Sequence, residues 1–133
     1  MPTIEWSEDL SVGFIEIDKD HQQLVNLLND FTEEIENNGP RSAIEDSLEE
    51  LVEYTGWHFR HEERLMQEHG YEEMKEHQVE HKTLTDAASE IMTKYEGGDD
   101  SVLEGLIPFL QEWVANHIQE TDKKLGAFLA SQS

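Results

Sequence analysis

The stretch from His58 to His81, HFRHEERLMQEHGYEEMKEHQVEH, concentrates residue types that hold metals. His58 and Glu62 are four residues apart, and so are His77 and His81. On a helix, residues four apart share one face, one turn above the other. A break near His69-Gly70 separates the pairs, so two helices folding back on each other would bring them level. Three more groups of the same kind belong to helical patterns elsewhere: His21, His117 and, just past it, Asp122. A lone histidine on an apolar stripe is usually a hydrogen-bonded core residue. Five histidines and two carboxylates in one small core are another matter, because each unpaired buried charge costs on the order of several kcal/mol. Metal coordination removes that cost and holds the imidazoles neutral.

Spacing excludes the common rivals. A zincin needs His-Glu-x-x-His, but His61-Glu62 is followed at the required place by Leu65. A ferritin-like carboxylate site needs Glu-x-x-His, and no histidine here has Glu three residues before it. No EF-hand loop, Ser-His-Asp arrangement or glycine-rich phosphate loop is present. The chain has no cysteine, which excludes disulfides, thiolate nucleophiles and sulfur-ligated metals. The imidazole-rich set suits iron, zinc or copper, and seven ligands are too many for one tetrahedral zinc. Two metals are therefore expected. His61 is expected on the surface beside the seam, and His69 in a solvated turn.

The elements that position these groups follow from periodicity. Residues 1–17 read as an extended arm, with Trp6, Phe14, Ile15 and Ile17 apolar and Gly13 interrupting. Asp18 suits an N-cap for a first helix over about 19–37, striped by Leu24, Val25, Leu28, Phe31 and Ile35. Gly39 suits its left-handed C′ position, and Pro40 stops it. A second helix is expected over about 41–67 and a third over about 71–95, with Gly70 between them. Ser101-x-x-Glu104 reads as a capping box opening a fourth helix over about 101–119, kinked at Pro108. A short terminal helix over about 123–130 follows. The fold class is all-α: an up-down-up-down four-helix bundle in a single domain spanning 1–133.

Composition narrows the partners. The chain carries 31 Asp and Glu against 9 Lys and Arg, a net charge of −22. Such a surface repels phosphate backbones and anionic lipids, so no nucleic acid is expected as a partner. Apolar runs are only a few residues long, so no membrane insertion is expected. The start, MPTIEWSEDL, has no basic n-region or apolar h-region, which predicts a cytoplasmic protein.

The pattern resembles the hemerythrin family, in its single-domain bacterial form. The matching residues are Asp18-x-x-His21, His58-Phe59-x-x-Glu62-Glu63, His77-x-x-x-His81 and His117-Ile118-x-x-x-Asp122, with Trp6, Val12-Gly13 and Tyr54 in fitting flanks. The resemblance covers nearly the whole chain and leaves no ligand position unfilled. It implies two Fe ions, Fe2+ or Fe3+, bridged by Glu62, Asp122 and an oxo or hydroxo group. His77, His81 and His117 would hold one iron, His21 and His58 the other. The second iron would then have five of six positions filled, and its open position is where O2 would bind.

Reversible binding needs a dry pocket. Val114 and Trp113, three and four residues before His117, are candidates to line it, with Leu24, Leu28, Phe59 and Ile118. Phe59 and Trp113 suit the core equally well. The expected function is O2 storage, transport or delivery, without enzymatic turnover. An O2 or redox sensor, or a di-iron enzyme acting on O2, peroxide or nitric oxide, is the alternative.

Overall fold

A computed structural model of the chain describes residues 4–132. Its frame is four long helices: α1 (Ile15–Glu36), α2 (Arg41–His69), α3 (Met74–Glu96) and α4 (Val102–Asn116). α4 runs without a loop into a π-helical segment, His117–Asp122, and then into α5 (Lys123–Ser131). Each helix packs on the next and α4 returns to α1, which closes the bundle. Short connections make successive helices antiparallel, the up-down-up-down arrangement that the periodicity predicts. No strand occurs among the described residues. The expected stripes point inward: Leu24, Leu28 and Phe31 of α1, Leu48 and Leu51 of α2, Leu84 of α3, and Leu106, Leu110 and Val114 of α4 are all buried.

Helix ends show where local chemistry departs from expectation. α2 stops in a Schellman turn: Gly70 adopts φ 67°, and the Tyr71 N–H donates to the Met66 carbonyl at 2.9 Å. α1 ends the same way, but the left-handed residue is Asn38 (φ 53°), one before Gly39. Gly39 instead donates its N–H to Glu34 O at 2.9 Å. Asparagine visits this region at modest cost because its short polar side chain can bond locally. Asp18 is not an N-cap. α1 begins earlier, at Ile15, and the Asp18 carboxylate reaches back from the first turn to the Ser11 hydroxyl (2.7 Å) and the Val12 N–H (2.8 Å). The capping box at Ser101 does not form either, since that hydroxyl donates to Asp99. α3 starts at Met74 rather than 71, because the chain needs Tyr71–Glu73 to recover from the turn at Gly70. α4 continues through Pro108 as one helix to Asn116, and the π-helical segment begins at His117.

The arm is pinned at both ends. The Asn29 side-chain amide pairs with the backbone of Ile4, accepting its N–H at 2.9 Å and donating to its carbonyl at 2.7 Å. A turn of 3₁₀-helix at Glu8–Leu10 interrupts the otherwise extended arm. Leu10 and Val12 are buried, and Val12 lies directly on α5 at Gly126. A Cβ at position 126 would sit 2.1 Å from the Val12 carbonyl oxygen, an approach only glycine permits. Gly126→Ala should therefore destabilise the protein by about 1–3 kcal/mol, the usual range for overpacking. A lowered denaturant midpoint with an unchanged slope is the expected reading.

Candidate metal centre

Each bundle helix, or its direct continuation, delivers part of one buried cluster. α1 supplies His21, α2 His58 and Glu62, α3 His77 and His81, and the π-helical segment His117 and Asp122. All seven expected ligands are buried, none more than 4% exposed. The pairs on α2 and α3 need only regular helix, since residues four apart share a face. His117 and Asp122 are five apart. An α-helix turns about 100° per residue, which would leave them about 140° out of line. A π-helical turn, with its i→i+5 hydrogen bond, brings residues five apart over one another. The local departure from α geometry is thus what lets both side chains face inward.

The donors fall into two groups that share the carboxylates. His77, His81 and His117 lie with Glu62 and Asp122, and His21 and His58 lie with the same two acids; within each group the donor atoms are all within 4.8 Å of one another. Each carboxylate divides its oxygens between the groups. Glu62 Oε1 is 3.0 Å from His81 Nε2 and 3.4 Å from His77 Nε2, while Oε2 is 3.3 Å from His58 Nε2 and 3.4 Å from His21 Nε2. Asp122 Oδ1 is 2.9 Å from His77 Nε2 and 3.1 Å from His117 Nε2, while Oδ2 is 3.0 Å from His21 Nε2. Despite these distances, Nε2 of His21, His77, His81 and His117 and all four carboxylate oxygens lack hydrogen-bond partners. Their directions miss one another. Buried groups arranged this way suit a metal between them, not each other.

The outer edges of the imidazoles are held by carboxylates: Glu63, which belongs to the matched pattern without an assigned role, and Asp20 and Glu80, which the sequence did not single out. His58 Nδ1–H donates to Asp20 Oδ2 (2.9 Å), His81 Nδ1–H to Glu63 Oε2 (3.0 Å) and His117 Nδ1–H to Glu80 Oε1 (3.0 Å). An acceptor at Nδ1 fixes the tautomer and leaves Nε2 free to ligate. The signal was present: Asp20, Glu63 and Glu80 are the chain neighbours of His21, Glu62 and His81. His61 is not a simple surface residue. It is half-buried, and its Nδ1–H donates to the same Asp20 oxygen at 2.5 Å. His69 is exposed at the turn, as expected.

Residues 12–129 match the hemerythrin HHE cation binding domain family. The chain belongs to the hemerythrins. Among its relatives are the bacteriohemerythrin of Pseudomonas paraeruginosa, 33% identical over 92% of this chain and 78% of that one, and the bacteriohemerythrin of Methylococcus capsulatus, 31% identical over 91% and 90%. A crystal structure of wild-type hemerythrin superposes with a TM-score of 0.90 at 27% identity, covering 96% of this chain and 98% of that one. Hemerythrins bind O2 at a di-iron site and are generally not enzymes. No helix among the described residues is long and apolar enough to cross a membrane.

In this hemerythrin the aromatic candidates lie against the three-histidine group. Phe59 stacks on His81 (3.8 Å between ring centres, 6° between planes) and Trp113 on His117 (4.3 Å, 15°). Leu24, Leu28, Val114 and Ile118 are buried in the core.

Protonation couples the centre to stability. Burial opposes charge on His58 and His77, yet Glu62 and Asp20 push His58 up to about 10, and Asp122 and Glu62 push His77 up to about 9. Burial likewise works against the ionised Glu62 and Asp122, but the surrounding histidines hold both below the usual carboxylate range. A histidine pKa raised above its ordinary 6.5 favours folding fully below pH 6.5, and the contribution fades as pH rises through the raised value. The lowered carboxylate values contribute above their ordinary range and fade in acid. The metal-free protein should therefore lose stability steadily from pH 6.5 towards pH 10, in urea titrations at stepped pH. Metal loading at pH 7 should release protons, read with an indicator in weak buffer.

Proposed function

We propose that this hemerythrin binds O2 reversibly at two irons, for storage or delivery. The observation that carries the reading is the division of the Glu62 and Asp122 oxygens between the two histidine groups. The donor set fits the group: seven buried ligands, imidazole nitrogens and carboxylate oxygens only, and eight of their donor atoms without another partner. His77, His81 and His117 would hold one iron, His21 and His58 the other, with Glu62 and Asp122 spanning both. The two-histidine group offers one protein ligand fewer, so O2 would bind on the side of His21 and His58. When bound, the ferrous pair supplies two electrons to O2 and takes them back on release.

The chain's own residues make that exchange reversible. Leu24, Leu28, Val114 and Ile118 are buried apolar side chains that would keep water from the centre. Phe59 and Trp113 lie flat against His81 and His117 and hold those rings in place. Among the described residues, no buried side chain beyond the ligands is left as a free proton donor. Apart from the seven ligands, the buried polar residues among those described are Asp20, held between His58 and His61, and Thr32, which donates to Leu28 O. A site without a free acid or base supports a carrier over an oxidase.

Metal analysis should find two irons per chain. Anaerobic reduction followed by O2 should give a visible spectrum that reverts when O2 is removed. Irreversible oxidation within one cycle would sink the carrier reading. Asp20→Asn should weaken one of the two metals by about 10–100-fold, the usual effect of losing a ligand's outer partner. Chelator competition should show that metal leaving first while the other stays.

A further inference from the structure

The seven ligand residues are buried within the four-helix frame, and the grooves along its seams are routes by which a metal could reach them. Surface grooves formed by the described residues reach the rings of His117, His77 and His81. Two run along the seam between α3 and the α4–π-helical strand and share Glu80 and Glu120. One, of about 360 Å3, reaches His117, and the other, of about 170 Å3, reaches His77. The third, of about 480 Å3, reaches His81 between α2 and α3.

Charge separates them. The paired grooves carry Glu73, Glu76, Glu80, Glu112 and Glu120 against Lys124 alone. The third balances Glu63 and Asp86 with Arg60 and Lys82. A second, independent observation marks the seam. His77 Nε2 faces inward, 2.9 Å from Asp122 Oδ1, so Nδ1 lies on the opposite side of the ring. That nitrogen is buried and has no hydrogen-bond partner, and His77 lines the smaller groove. His81 and His117, by contrast, have Nδ1 taken by Glu63 and Glu80.

We propose that this acidic seam is the loading site for divalent transition-metal ions on their way to the centre, an inference that rests on the metal reading above. The carboxylates concentrate a hydrated cation at the mouth, since a cleft lined by one sign of charge raises local counter-ion concentration and association rate. His77 Nδ1 is the first nitrogen the cation meets. Glu80 is the pivot. Its oxygens accept from His117 Nδ1 and from the Thr121 hydroxyl at 2.8 and 2.9 Å, latching the π-helical segment to α3. A cation that draws on Glu80 competes for those oxygens and loosens the segment that carries His117 and Asp122. No bond to carbon or change of oxidation state is involved; the ion exchanges water for protein ligands.

The test is stopped-flow uptake of Co2+ by the metal-free protein, read from its visible ligand-field bands. Glu76→Gln/Glu112→Gln/Glu120→Gln should load about tenfold more slowly and still reach two cobalt ions per chain. Glu49→Gln/Glu50→Gln/Glu53→Gln removes the same charge from α2 away from the grooves and should stay within about twofold of the parent. Equal slowing of both variants, or slowing of neither, overturns the proposal while two bound cobalt ions leave the metal reading intact. Failure of the parent to bind cobalt removes both. A second measurement needs no variant. With the centre filled by zinc, trace Mn2+ should broaden the amide signals of Glu76, Glu80 and Glu120 first. Broadening spread evenly over the acidic surface overturns the seam.

Discussion

The structure depends on one electrostatic constraint: seven polar side chains share a dry interior without satisfying one another. Glu62 and Asp122 each sit among several imidazoles, close enough for strong attraction, yet their oxygens accept no directed hydrogen bond. Without metal, protons carry the compensating charge, which is why His58 and His77 cling to theirs. A metal at the centre takes over the charge that the protons carry, so binding, protonation and folding are linked. The apolar core around Phe31, Leu28 and Ile107 supplies the stability that does not depend on pH.

The supporting carboxylates follow a rule of direction. Asp20 on α1 serves His58 on α2, Glu63 on α2 serves His81 on α3, and Glu80 on α3 serves His117 beyond α4. Each helix steadies a ligand of the next. The reason is geometric: a residue adjacent in sequence to an inward-facing ligand is rotated about 100° from it and so lies at a seam. There it meets the flank of the neighbouring helix. The bundle and the centre are therefore not separable layers, because the contacts that orient the imidazoles also tie helix to helix.

How much of this was legible beforehand varies with range. The ligand pairs on α2 and α3 were visible because spacing of four maps directly onto one helical face, and the bundle was visible because the stripes of Leu24, Leu48, Leu84 and Leu106 repeat with helical period. Local signals with rival uses misled. Asp18 is a good cap residue, but its carboxylate found the Ser11 hydroxyl and Val12 N–H first. Asn38 took the left-handed position that a neighbouring glycine also suits. The roles of Asp20 and Glu80 depend on which helix lies alongside, so periodicity within one helix could not assign them. The loop-free passage from α4 to α5 went unread, although two inward ligands five apart, His117 and Asp122, already imply a change of helical pitch.

That passage is also a change of phase. Leu110, Trp113 and Val114 precede His117 by seven, four and three residues, so the inner face of α4 is in step with His117. Leu125, Gly126 and Leu129 follow Asp122 by three, four and seven, so the inner face of α5 is in step with Asp122. A continuous α-helix would set these two faces about 140° apart and could bury only one of them. The wider turn lets a single rod of chain satisfy two surfaces: the bundle above and the arm, through Gly126 and Val12, below. Deleting one residue between His117 and Asp122 would leave an i,i+4 pair on regular α-helix with both inner faces still in step. The fifth residue and the wider turn are thus one device: the extra residue is absorbed by a local change of pitch, and the ligands and the two ends of the molecule stay in register.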